Sequence, residues 1–270
     1  CGKIQTKLYS MSPDEFPPIR SFDGIEPLVL PQNLLRGIFQ KTSYAISSDQ
    51  ARYNLTGLLL EIADGALTCV ATDGRRMSLL SQKDGIAEGI NIKVIIPGKM
   101  IHELERLLDD DEDVTIQFGE NQAAFTFGNL RMVTALIEGN FPNYEMVIPK
   151  EHDKEVKLST ALFTEGMRRT RTMTNDKFNS VRFIINDGLL TLKVVTPEVG
   201  EYEEEVPIAY SGDGLEIAFN PDFVLDVLKH VESEDTCLVL KDATSPGVLR
   251  PPAGEDGANN YINVVMPIRI

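Results

Sequence analysis

The chain repeats itself at two periods, and a repeat restricts the available folds more than any single motif does. Phe16-Pro17-Pro18-Ile19 recurs as Phe141-Pro142-Asn143-Tyr144 about 125 residues later, and Asp64-Gly65-Ala66-Leu67-Thr68 returns as Asp187-Gly188-Leu189-Leu190-Thr191 at nearly the same offset. Two domains of one fold follow, over residues 25–150 and 151–270. A shorter period lies inside each. Leu28-Val29-Leu30-Pro31, Val94-Ile95-Ile96-Pro97, Val156-Lys157-Leu158-Ser159 and Ile217-Ala218-Phe219-Asn220 each read as a strand running into a helix start. Three short strands with Gly or Asn turns follow each helix. Four strand-helix-three-strand units make the class α+β, with two helices packed on antiparallel sheets in each domain.

The helices carry recognisable starts. Asn220 can accept from first-turn amides while Pro221 suits the first helical position; Ser159 or Thr160 can cap the third helix, and Pro31 and Pro97 mark the first two. Apolar residues at helical spacing define one buried face per helix: Leu34, Leu35, Ile38, Phe39 and Thr42; Met100, Ile101, Leu104, Leu107 and Leu108; Leu162, Phe163, Gly166, Met167 and Thr170; Phe223, Val224, Val227, Leu228 and Val231. The opposite faces collect Arg36, Lys41, Lys99, Arg106, Arg168, Arg169, Arg171 and Lys229.

Those cations stand out on a chain of formal net charge -15, a balance that on its own counts against nucleic acid. Acidic residues gather elsewhere, in Asp109 to Asp113 and in Glu198, Glu201, Glu203, Glu204 and Glu205. The separation is chance or has a purpose, because Glu103, Glu105, Glu165, Asp222 and Asp226 share the helices. The acidic strand is equally open: a charged edge resists mispairing, and it also makes half of an electrostatic interface.

Catalytic patterns are missing. His102, His152 and His230 lack metal-site spacing, no glycine loop of the Walker or dinucleotide type appears, and there is no Gly-x-Ser-x-Gly elbow. Asp73, a lone Asp before Gly after a strand, reads as a turn residue rather than a hydrolase carboxylate. No enzyme, metal or cofactor is expected. Cys69 and Cys237 sit in apolar runs as small hydrophobes, which places the chain in a reducing compartment, the cytoplasm. No run is long enough to span a bilayer, so no membrane partner is expected. The chain opens on Cys1 rather than Met, and residues 1–10 read as mid-strand sequence, which suggests part of something longer. At the other end Val264-Val265-Met266-Pro267-Ile268-Arg269-Ile270 stays apolar to the last residue, so it closes a sheet, lines a covered surface, or both.

Several stretches resemble one family. Arg52-Tyr53-Asn54-Leu55-Thr56-Gly57, Val70-Ala71-Thr72-Asp73-Gly74-Arg75-Arg76-Met77, Phe141-Pro142-Asn143-Tyr144, Phe219 to Leu228 and the terminal Val-Val-Met-Pro-Ile-Arg-Ile are similar in order and spacing to the bacterial DNA polymerase III beta subunit, the replicative sliding clamp. The resemblance spans essentially the whole chain. It implies a DNA clamp fold whose last two of three domains are present, with residues 1–24 the tail of a first domain and its connector.

The resemblance also implies roles. Two subunits would close head to tail into a homodimeric ring around duplex DNA, held without sequence preference. Arg36, Lys41, Tyr53, Lys99, Arg106, Arg168, Arg169, Arg171 and Lys229 would face the DNA. Thr172, Met173, Glu198, Glu201, Glu203, Glu204 and Glu205 would form the ring-closing face. Linear peptides of the DNA polymerase III alpha subunit, the clamp loader and repair polymerases would dock between the two domains. The matching positions are Leu55, Thr72, Gly74, Arg75, Arg76, Met77, Pro142, Val147, Val264, Met266, Pro267, Ile268 and Arg269. Arg75 stands where the family usually has His, Ile268 where it has Met and Ile270 where it has Leu; Arg75 adds a fixed charge that would favour acidic flanks. An adaptor that keeps the peptide groove without forming a ring is the alternative.

Overall fold

A computed structural model describes residues 2–15, 21–83, 85–86, 89–109, 112–149, 153–252 and 261–269. The first unit is β1 (Leu28–Pro31), α1 (Gln32–Thr42), β2 (Gly57–Ala63), β3 (Ala66–Thr72) and β4 (Arg76–Gln82). The second is β5 (Ile92–Pro97), α2 (Gly98–Leu107), β6 (Asp113–Phe118), β7 (Gln122–Phe127) and β8 (Leu130–Ala135). The third is β9 (Lys154–Ser159), α3 (Thr160–Thr172), β10 (Val181–Asn186), β11 (Leu189–Thr196) and β12 (Gly200–Pro207). The fourth is β13 (Leu215–Phe219), α4 (Pro221–Leu228), β14 (Asp235–Leu240), β15 (Gly247–Arg250) and β16 (Tyr261–Val265). The strand-helix-three-strand reading holds in all four.

The units exchange their opening strands. β1 pairs with β6 of the second unit and β5 with β2 of the first; β9 pairs with β14 and β13 with β10 in the same way. Neither unit of a pair can therefore bury its helix alone, and each pair condenses around one core. Phe39, Phe125, Leu58 and Ile101 centre the first, and Phe163, Phe183 and Phe219, stacked edge to face, centre the second. Hydrophobic period selects each helix face, and the N-caps work as read: Asn220 accepts from the Asp222 amide and Ser159 from the Leu162 amide. Leu162 is a correction. Phe163, Gly166, Met167 and Thr170 form the buried stripe, and Leu162, a helical step outside it, stays 45% exposed.

The two halves join through one antiparallel pairing, β4 with β16, which makes a single eight-stranded sheet of order β5-β2-β3-β4-β16-β15-β14-β9. Helices cover one face of it. The connector after β8 covers the other, where Phe141, Tyr144 and Ile148 pack on Leu59, Val70, Met77, Val239 and Val264. Burial on both faces explains why β2 and β14 read as nearly continuous apolar runs. The strand expected over the first ten residues does not form. Residues 5–12 join no strand among the described residues, and Leu8, Tyr9 and Met11 stay exposed, because an extended segment outside a sheet has no neighbouring strand to bury its side chains against. Phe16 to Ile19, the first copy of the repeated motif, lie outside the described residues, as do Cys1, Asp110, Asp111, His152 and Ile270.

Gly57 closes the Arg52 to Gly57 motif because β2 begins against β5 there. A Cβ at Gly57 would meet the Ile96 carbonyl oxygen at 2.5 Å and Ile137 Cδ1 at 2.8 Å, whereas nothing lies within 4 Å of one at Gly37 on α1. Gly57→Ala is expected to cost about 2–3 kcal/mol in urea unfolding as an overpacked site. Gly37→Ala should instead gain up to about 1 kcal/mol from helix propensity. Equal effects would contradict the strand contact.

Candidate peptide groove and nucleic-acid face

Where the β4–β16 seam meets the connector, the chain leaves an apolar cavity of about 120 Å³. Leu55, Thr72, Gly74, Arg76 and Met77 come from the first half, Pro142, Tyr144 and Val147 from the connector, and Val264 and Met266 from the tail. The seam positions them in register: Val264 faces Met77 and Val265 faces Arg76. Beyond the strand the Met266 amide donates to the Arg75 carbonyl at 2.9 Å, so the tail stays on the rim of the β3–β4 turn. Val147 and Met266 are each 38% exposed, and Met146 beside them is 81% exposed, an apolar lip open to solvent.

The β3–β4 turn that forms one wall is built by its own polar residues. Asp73 Oδ1 accepts from the Arg75 and Arg76 amides at 2.8 and 3.0 Å, and Gly74 takes φ +83°. Asp73 thus spends its carboxylate on an Asx turn, as its place before Gly suggested. Arg76 anchors the wall to the other half. Its guanidinium donates to Asp73 at 3.1 Å, to Asp226 on α4 at 2.6 Å and to the Tyr44 carbonyl at 2.7 Å, and it lies over the rings of Phe223 and Tyr44. Tyr44 in turn stacks on His230 and donates to Asn263 at 2.5 Å.

Most residues expected to line the groove meet in that cavity, but the expected set divides. Arg75, Ile268 and Arg269 line a neighbouring cleft, and Pro267 lines neither. The Ile268 amide donates to the Ala218 carbonyl at 2.8 Å, and that bond steers the tail past β13 and away from the cavity. Tyr144, which ends the Phe-Pro-Asn-Tyr motif and stands outside the expected set, also lines the cavity. Its hydroxyl donates to Glu61 at 3.1 Å, and burial, then the Glu61 charge, push its pKa up to about 12. The ring therefore stays neutral and pinned between connector and β2.

The residues expected to face DNA are spread over all four helices and mostly carry carboxylate partners. Lys41 bonds Glu232, Arg106 bonds Glu103 and Lys229 bonds Asp226, at 2.6–2.9 Å. Arg169 makes a two-pronged bond to Glu204 on β12, and Arg171 pairs with Asp222 on α4. Lys99 and Arg168 are exposed with no ion pair among the described residues, and Tyr53 is 57% exposed. Arg36 sits half-buried on α1.

β12 is an edge strand with no partner on its outer side among the described residues. Its carboxylates alternate: Glu201, Glu203 and Glu205 face solvent, while Glu204 turns to α3, where Arg169 first, through its hydrogen bond, holds its pKa below the usual range. Glu203 is countered by Lys193 at 2.8 Å. Thr172 and Met173 end α3 beside the hairpin tip, with the Thr196 hydroxyl donating to the Met173 carbonyl, and Glu198 sits in the tip at φ +67°.

Paired helices against exchanged sheets, repeated twice, with an apolar groove at the seam, define a sliding clamp. Models of the DNA polymerase III beta subunit match its central domain over residues 29–143 and its C-terminal domain over residues 145–269. The chain is 35% identical over its whole length to the beta sliding clamp of Pseudomonas putida and 31% identical to that of Escherichia coli, and it covers 72% of each relative. It superposes with a TM-score of 0.91 on the DNA polymerase III subunit beta of Pseudomonas aeruginosa, at 34% identity, covering 99% of this chain and 73% of that one. The Bacillus subtilis clamp also superposes at 0.91, with 27% identity. The chain belongs to the DNA polymerase III beta subunit family and functions as a sliding clamp in DNA replication. Among the described residues no helix is long and apolar enough to cross a membrane.

Proposed function

We propose that this chain is a non-catalytic processivity factor of the cytoplasm. Its helix faces line a ring around duplex DNA, and its seam cavity captures linear peptides of the polymerase alpha subunit, the clamp loader and repair polymerases. Two copies close the ring as a homodimer through the β12 edge, where the exposed Glu201, Glu203 and Glu205 meet basic groups of the other subunit. The division at residue 150 separates the two clamp domains, and residues 1–24 lead in from a preceding one.

The observation that carries the DNA reading is the pairing of the helix cations. Phosphates compete with resident carboxylates such as Glu232, Glu103 and Asp222, so each contact is weak and replaceable. Phosphate contacts carry no sequence information, and a face of weak, exchangeable contacts lets a ring move along the duplex. Arg168, like Lys99, is exposed and without an ion pair among the described residues, which leaves it available to a phosphate. Arg168→Ala is expected to lower the slope of log affinity against log salt by about 1, with unrelated duplex sequences affected alike. An unchanged slope removes α3 from the DNA face. A ring-less adaptor would bind peptides normally and show no such slope in the unsubstituted protein.

A further inference from the structure

Asp226 on α4 holds two cations at once, one on each carboxylate oxygen. Its Oδ2 accepts from the Arg76 guanidinium at 2.6 Å and its Oδ1 from Lys229 Nζ at 2.6 Å. The side chains are 13% exposed at Arg76, 26% at Asp226 and 57% at Lys229, so the chain of charges runs from the interior of the seam to the helix surface. At the inner end Arg76 opens β4 between Gly74 and Met77, and those three residues line the apolar cavity together. At the outer end Lys229 follows α4 as its C-cap and belongs to the set expected to face DNA. One carboxylate therefore touches both the wall of the groove and the cationic face.

We propose that Asp226 is a positioning residue of the groove, and that Lys229 sets how firmly it holds Arg76. An anion shared by two cations holds each less tightly than it would hold one alone, since the cations repel each other and divide its charge. The Lys229 pair is exposed, weak and exchangeable. Arg76 lies largely out of water, where a change in its partner's charge is screened less. When a phosphate draws Lys229 away, Asp226 turns its charge on Arg76 alone. The β3–β4 turn is then held more firmly against α4, and the cavity wall is preorganised for a peptide. The proposal rests on the groove and DNA readings given above and adds a coupling between them. Such a coupling is reciprocal: a captured peptide favours release of Lys229 to DNA by the same factor. A clamp on duplex would hold its partners better than a free one.

The test follows one fluorescent peptide, a core with a Leu and a Phe between neutral Ser-Gly flanks, so that a bound duplex does not attract it by charge. A short duplex in excess at low ionic strength is expected to tighten the peptide about two- to fivefold, the range of one exposed ion pair. Lys229→Gln should bind the peptide tighter by that same factor with no duplex present, and adding duplex should then give no further gain. Lys229→Arg, which keeps the pair, is expected to restore the behaviour of the unsubstituted protein. In Lys229→Gln with Asp226→Asn the gain should vanish, because no charge is left at that position to act on Arg76. A merely structural pair predicts a Lys229→Gln protein that binds the peptide as before or more weakly. That result overturns the proposal, and so does a duplex effect that persists in Lys229→Gln. A duplex that fails to bind in direct titration overturns the DNA half, while Lys229→Gln without duplex decides the other half. Failure of the peptide to bind any of these proteins strikes the groove reading and takes the proposal with it.

Discussion

Met266→Ala is expected to weaken a neutral-flanked peptide by about 1–2 kcal/mol, roughly tenfold or more, whereas Pro267→Ala should change affinity far less. The two residues are adjacent, and the resemblance that suggests one suggests the other. The geometry separates them. Met266 closes the cavity opposite Met77 and Val147, while Pro267 lines neither that cavity nor the neighbouring cleft. Met266 holds its backbone in place independently of its side chain, through the amide bond to the Arg75 carbonyl. Truncating the thioether therefore removes apolar contact without releasing the tail. Methionine suits a site that must accept different peptides, because its unbranched chain and polarisable sulfur repack around each. Calorimetry with both single variants decides the matter: equal losses, or a larger loss at Pro267, would move the binding site along the tail.

Much of this arrangement can be read from residues alone, and the limits are physical. The four units are legible because each pairs a period-2 strand with a 3.6-period helix across a Pro, Ser or Asn cap, all local signals. The exchange of β1 and β5, and of β9 and β13, is not legible. Nothing local distinguishes a strand that pairs with its own unit from one that pairs 80 residues away. The groove residues on the β3–β4 turn and on β16 follow from motif spacing, since the seam register carries Met77 to Val264. The departure of Ile268 and Arg269 depends on one amide bond to the Ala218 carbonyl; the Ile217 to Asn220 motif marks a strand running into a helix and carries no signal for a tail passing beside it. Tyr144 has a sequence signal in the repeated Phe-Pro-Asn-Tyr motif, and it opens the short 3-10 turn, Tyr144–Met146, that sets Val147 in the wall. The ion pairs Arg169–Glu204 and Arg171–Asp222 span 35 and 51 residues, so the exposed helix faces looked more uniformly basic in sequence than they are in space.

Arg76→Ala is expected to destabilise the fold by about 3 kcal/mol in chemical denaturation, the range for removing one partner of a largely buried ion pair. Arg76 bonds the β3–β4 turn, α4 and the 3-10 turn after α1 at once, and its side chain is only 13% exposed. Removing it leaves Asp226 and the Tyr44 carbonyl without that donor and uncovers the Phe223 ring 4.7 Å away. Arg76→Ala with Asp226→Ala should recover part of the loss, because the only carboxylate of the two then left without Arg76 is Asp73, which keeps its bond from the Arg75 amide. The dependence on pH has a defined sign. Burial alone raises the pKa of Asp226, but hydrogen bonds from Lys229 and Arg76 outweigh it and hold the carboxyl below its ordinary range. A carboxyl depressed in the folded state contributes stability that is fully present above its unfolded pKa, about 4, and is lost as pH falls through the lowered value. The stability difference between the unsubstituted protein and Arg76→Ala should therefore be full at neutral pH and shrink below about pH 4. A difference that stays constant on acidification would mean that Arg76 holds the two halves by lying over Phe223 and Tyr44 rather than by its bond to Asp226, and the double variant would then recover nothing.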